Sequence, residues 1–126
     1  MRIGLFGQAS VRVTTANTAE ALGSGDVPVF GTPALVALLE TAAVNAVAGR
    51  LGPGETTVGT EIVIRHLAAT PIGGQIRAEA TLTAVDGRKL RFSVMAFDAR
   101  DKVAEGTHDR VVVSRERFLA KLSPPA

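Results

Sequence analysis

An α+β domain, with one antiparallel sheet of about five strands wrapped around a single long buried helix, is what this sequence predicts. Three observations predict it. Between Thr32-Pro33 and Gly49 the chain is apolar in nearly every helical direction, from Ala34 to Ala48, and a helix apolar all round must be covered on most sides. Behind it come alternating segments that are half polar, unlike the continuous apolar runs of parallel strands. Asp86-Gly87 then marks a tight hairpin between two of those segments. The 126 residues suit one domain spanning residues 1–126.

In order along the chain, Ala9 to Thr15 reads as a short strand with Val11 and Val13 on one face. Residues 16–28 are small and polar and read as loop, with one helical turn around Ala19 to Leu22. Thr32 is placed as the N-cap of the long helix and Pro33 at its first position, with Gly49 as the stop. Thr60 to Leu67 sets Ile62, Ile64 and His66 against Glu61, Val63, Arg65 and Leu67. Gln75 to Ala84 turns Ile76, Ala78, Ala80, Leu82 and Ala84 inward, and Leu90, Phe92, Val94 and Ala96 do the same in the next strand. Asp98 to Asp101 is a turn, Lys102 to Val113 a last strand, and Glu116 to Leu122 a short amphipathic helix anchored by Phe118 and Leu119. An open sheet of this kind leaves exposed edges, which pairing in a homodimer, or a dimer of dimers, protects.

Composition removes several functions. Hydrophobic residues are 46%, charged residues 21% and aromatics only 4%, so the chain is globular and its core is built from Ala, Val, Leu and Ile. Without cysteine there is no disulfide, thiolate metal site or thiol nucleophile, and two histidines do not make a zinc site. A formal charge of +2 with scattered basic residues lacks the clustered face that nucleic acid requires. No signal-peptide core precedes the domain, and Glu40, Asn45 and Arg50 interrupt the longest apolar stretch. The expectation is a soluble, cytoplasmic protein with no nucleic-acid or membrane partner.

Three residues stand out chemically. Glu40 has Val36, Val44 and Val47 as helical neighbours, so it either enters a pocket or opens to solvent through a gap in the sheet. His66 shares the apolar face of Ile62 and Ile64, as a core residue or as a base directed toward the helix that carries Glu40. Thr32 is explained by helix capping alone, but the free amides at such a helix start also suit a developing oxyanion. Gly59 allows close approach to the backbone or simply opens a strand. His108 and Arg110 share one face of the last strand, read as lying near a sheet edge, and Arg110 is either a phosphate contact or a solvated surface arginine.

Taken together, Phe30-Gly31-Thr32, Leu39-Glu40, Leu51-Gly52-Pro53-Gly54-Glu55, Gly59-Thr60, His66 to Pro71, Gly106 to Arg110 and Glu116-Arg117-Phe118 form an ordered series. From Val29 to Leu122 the chain resembles the fluoroacetyl-CoA thioesterase family of hot-dog-fold thioesterases. The resemblance implies a hot-dog fold and hydrolysis of a short acyl-CoA near a dimer interface. It carries the family's Thr, Glu and His onto Thr32, Glu40 and His66 and implies no metal or bound cofactor, while the residue reading above makes Gly59 and Arg110 the expected substrate-binding residues. One departure concerns Gly23 to Val29, where fluoroacetyl-selective relatives carry gating aromatics and this chain has none before Phe30. The expected mechanism has His66, oriented by Glu40, taking a proton from Thr32 or from water. The alternatives are a hot-dog enoyl-CoA hydratase or dehydratase, and a non-catalytic acyl-CoA-binding module.

Overall fold

The structure, a computed structural model, describes residues 1–125. Strand β1 (Phe6–Arg12) is followed by a single helical turn, α1 (Ala19–Leu22), and the long helix α2 (Thr32–Ala46). Then come β2 (Glu55–His66), β3 (Gln75–Asp86), β4 (Lys89–Phe97), β5 (Lys102–Ser114) and a short helix α3 (Arg115–Ala120). All five strands form one antiparallel sheet in the order β1-β3-β4-β5-β2. Helix α2 therefore connects the two opposite edges of the sheet, as the hot-dog arrangement requires.

Leu35, Leu39, Ala42 and Ala43 of α2 are fully buried against Ile76, Ala78, Ala80 and Leu82 of β3 and Phe92 of β4. Each buried leucine contributes ~2 kcal/mol relative to an exposed one. The fit depends on small residues: a Cβ on Gly7 of β1 would run into the α2 backbone at Ala42 and Ala46. A stripe of α2 at Ala37, Thr41 and Val44 stays uncovered by the chain's own sheet.

Several expectations need correction. Strand β1 begins at Phe6 rather than Ala9, because its inward positions are Gly7, Ala9 and Val11, and Gly and Ala leave little apolar signal. Ala84 is exposed, not inward: the ladder shifts register between Leu82 and Ala84, which turns the end of β3 over. Helix α3 buries none of its residues, so Phe118 and Leu119 do not anchor it within the chain. The Asp86-Gly87 hairpin and the Asp98 turn form as read. Gly87 takes φ +60°, and Asp98 Oδ1 accepts from the amides of Arg100 and Asp101.

Candidate active site

Thr32 is the first helical residue of α2, and Gly31, not Thr32, occupies the N-cap without a side-chain capping bond. The Thr32 hydroxyl instead lies 2.8 Å from His66 Nδ1 at the far end of β2. Capping therefore does not explain this threonine. Neither the Thr32 nor the Ala34 amide has a partner among the described residues, and Pro33 has no amide proton. The helix thus begins with open donors beside the Thr32–His66 pair. A cavity of about 360 Å³ opens there, walled by Ser24, Val29, Phe30, Leu67 and Ala68.

The environment of His66 favours a neutral imidazole. Burial pushes its pKa below the ordinary 6.5, and the Ala68 backbone opposes this only in part. Its Nε2 is buried without a hydrogen-bond partner. A neutral imidazole whose Nδ1 accepts from a hydroxyl can take that hydroxyl's proton, or the proton of a water held in its place.

Glu40 belongs to a second cluster. Arg110 Nη1 donates to its Oε2 at 3.2 Å, and His108 Nε2 lies 3.8 Å from the same oxygen. Arg110 is buried on the inner face of β5, held by Thr57 Oγ1 at 2.9 Å and the Thr57 carbonyl at 3.0 Å. Burial pushes its pKa down and Glu40 opposes the shift; an arginine stays charged regardless. His108 Nδ1 donates to the Glu61 carbonyl at 2.7 Å, which leaves Nε2 to accept from Arg110 at 3.1 Å. Gly59 lies opposite Arg110, and a Cβ there would stand 2.6 Å from Glu40 Oε2. A side chain at position 59 would push that carboxylate, the flexible end of Glu40, from its present place.

Two readings change accordingly. His108 and Arg110 are not at a sheet edge, because β5 lies between β4 and β2. Their burial together with Val112 was legible from the alternation of β5. Within one chain Glu40 does not orient His66: Glu40 is engaged by Arg110 and His66 by Thr32. Thr32 and Glu40 are eight residues apart on one helix, about 12 Å along its axis at 1.5 Å per residue. The chain presents two separate polar clusters, one carrying the hydroxyl–imidazole pair and open amides, the other a carboxylate–guanidinium pair.

Residues 13–116 match the FlK family, described as fluoroacetyl-CoA-specific thioesterase. A fluoroacetyl-CoA thioesterase from Streptantibioticus cattleyicolor is 45% identical over 94 residues, covering 75% of this chain and 68% of that protein. A solved structure of the fluoroacetyl-CoA thioesterase FlK superposes with a TM-score of 0.90 at 38% identity, covering 98% of each chain. A Thermus thermophilus protein described as a thioesterase superfamily member matches with a TM-score of 0.87 at 25% identity, over 94% of this chain and 88% of that one. No helix among the described residues is long and apolar enough to cross a membrane.

Proposed function

The chain belongs to the family of fluoroacetyl-CoA-specific thioesterases and is a thioester hydrolase of small acyl-CoA, and from that premise we propose how its two polar clusters act. The carrying observation is the 2.8 Å contact between the Thr32 hydroxyl and His66 Nδ1 at the mouth of a cavity. His66 takes the proton as the Thr32 oxygen, or a water held there, adds to the thioester carbonyl. The open amides of Thr32 and Ala34 receive the developing oxyanion. The carbon–sulfur bond then breaks, and the thiolate leaves with the proton from His66. Water supplies the second oxygen of the acid, directly or by hydrolysing an acyl-Thr32.

Glu40 and Arg110 join this chemistry across a homodimer. A second copy brings the partner's Glu40, with its Arg110 and Gly59, to the Thr32–His66 pair, since ~12 Å of helix separates them within one chain. Subunit mixing tests this. His66→Ala and Glu40→Gln proteins, each inactive alone, should regain activity when dissociated together and reassociated. Random pairing yields about a quarter of wild-type activity, because half the dimers are mixed and each mixed dimer keeps one intact site. No recovery from verified mixed dimers would place Glu40 and His66 in the same chain's site. The CoA substrate further points to a cytoplasmic location.

The acyl end of the cavity meets Ser24, Val29 and Phe30, and Gly23 to Val29 supplies no aromatic gate. Discrimination between fluoroacetyl- and acetyl-CoA should therefore be small. Thiol release measured on the two substrates side by side reads it. A preference above about a thousandfold in kcat/KM, ~4 kcal/mol of transition-state energy, would contradict it.

A further inference from the structure

We infer, on the reading above in which Thr32 and His66 carry the chemistry, that Thr70 and Asp98 are positioning residues of that site. The hydrogen bond between their side chains holds His66 against Thr32. After His66 the chain leaves β2 and forms part of the cavity wall as a loop, through Leu67, Ala68 and Ala69. Leu67, Ala69, Pro71 and Ile72 are exposed, and Thr70, at 2% exposure, is the one buried residue of 67–72. Apolar packing therefore does little to fix this loop, and polar contacts must set its place.

Those contacts clip the loop at both ends to the region where β4 passes into β5. The Leu67 amide, next to His66, donates to the Val103 carbonyl at 2.7 Å. Farther along, the Thr70 hydroxyl donates to Asp98 Oδ2 at 2.8 Å. Asp98 is itself held, since its Oδ1 takes the amides of Arg100 and Asp101 at 2.8 and 2.7 Å. An ionised carboxylate only accepts, so the Thr70 hydroxyl proton is directed at Asp98. The Thr70 methyl lies over Gly74, where a Cβ would stand 2.5 Å from it. Both branches of the Thr70 side chain are therefore placed.

From Thr70 the constraint passes to the start of α2. The Thr70 carbonyl accepts from the Phe30 amide at 2.9 Å, and Val29 bridges to Pro71. The other side of that segment is held by the Gly31 amide, which donates to the Asn17 carbonyl at 2.9 Å. A ring of chain closes in this way. It runs from Thr32 back to Phe30, across to Thr70, along the loop to His66, and over the 2.8 Å contact to Thr32 again. Cutting the Thr70–Asp98 tie frees the side of the ring that carries His66, while the cavity keeps its other walls. A misplacement of about 1 Å can cost on the order of a hundredfold in rate, so a loosened ring acts on turnover before it acts on binding. General destabilisation would instead leave kcat per folded molecule unchanged.

Acyl-CoA hydrolysis by four variants of the intact protein, each shown by thermal unfolding to be folded, decides this. Thr70→Val keeps the shape and loses the hydroxyl. It should lower kcat about tenfold or more while KM stays within about threefold of wild type. Asp98→Ala, at a half-exposed turn, should do the same, and gives the reading if Thr70→Val does not fold. Thr70→Ser keeps the donor, and Asp98→Asn keeps an oxygen for the two amides and a nitrogen to donate to the Thr70 hydroxyl. Both should retain most of kcat. Thr70→Val should cost no more than about twofold in a Thr32→Ala background, read at high enzyme concentration, because no hydroxyl remains to be aligned. Folded Thr70→Val and Asp98→Ala proteins with wild-type kcat, or an equal loss in the Thr32→Ala background, would overturn the positioning role. If Thr32→Ala itself keeps wild-type turnover, the hydroxyl–imidazole mechanism falls whatever Thr70 does. If Thr32→Ala is slow and Thr70→Val is not, the mechanism stands and the tie to Asp98 positions nothing.

Discussion

Replacing His66 with Ala lowers kcat/KM for acyl-CoA hydrolysis by about a thousandfold, within the range a positioned general base supplies. The thermal midpoint should move by only a few degrees, because His66 is half-buried and its ring nitrogens carry one protein hydrogen bond, to Thr32. The wild-type pH profile gives an independent reading. Burial holds the folded-state pKa of His66 below 6.5, so the neutral base is present at pH 7. Activity should fall only as the pH drops through that lowered value. The sign for stability runs the same way: the unfolded chain binds a proton near 6.5 and the folded chain only at lower pH, so stability also declines as pH falls below ~6.5. An alanine variant with near wild-type turnover would reduce His66 to core filling.

The second large effect is at Thr32. A capping hydroxyl lost to alanine costs ~1 kcal/mol of stability, but the Thr32 hydroxyl is directed to His66 and Gly31 holds the cap. Thr32→Ala and Thr32→Asn should therefore stay folded and lose about a hundredfold or more in kcat. Thr32→Ser, which keeps the oxygen, should retain a substantial part. Thermal stability and kcat measured on the three variants together separate the roles. An active Asn variant would leave His66 and Glu40 to work without the threonine oxygen.

Much of this architecture was legible before any coordinates. Alternation in β3 and β4, the all-round apolar run of α2 and the Asp86-Gly87 hairpin are local signals, and each formed where its pattern lay. The failures share a cause: the deciding contact lay outside the local pattern. Thr-Pro at a helix start is the usual cap signature, and only the arrival of His66 from the end of β2 shows that the hydroxyl is occupied elsewhere. Ala84 changed face because a single-residue bulge breaks a period of two, and bulges have no firm sequence mark. Glu40 stood out as a carboxylate among apolar neighbours. Its partner was misread, because a pairing between α2 and β5 depends on strand order. Helix α3 looked anchored because amphipathic spacing shows which face is apolar but not what covers it.

The eight-position spacing of Thr32 and Glu40 also bears on inheritance. If each catalytic centre borrows its carboxylate from the other copy, two damaged alleles need not mean lost function. One allele lacking the imidazole and another lacking the carboxylate complement each other, since every mixed pair retains a working centre. Place both lesions on the same allele and the outcome reverses. Every dimer that chain forms with a normal copy then has one centre without its imidazole and one without its carboxylate. The doubly damaged chain therefore silences every normal copy it pairs with and leaves roughly a quarter of the centres working, whereas either lesion alone leaves about half.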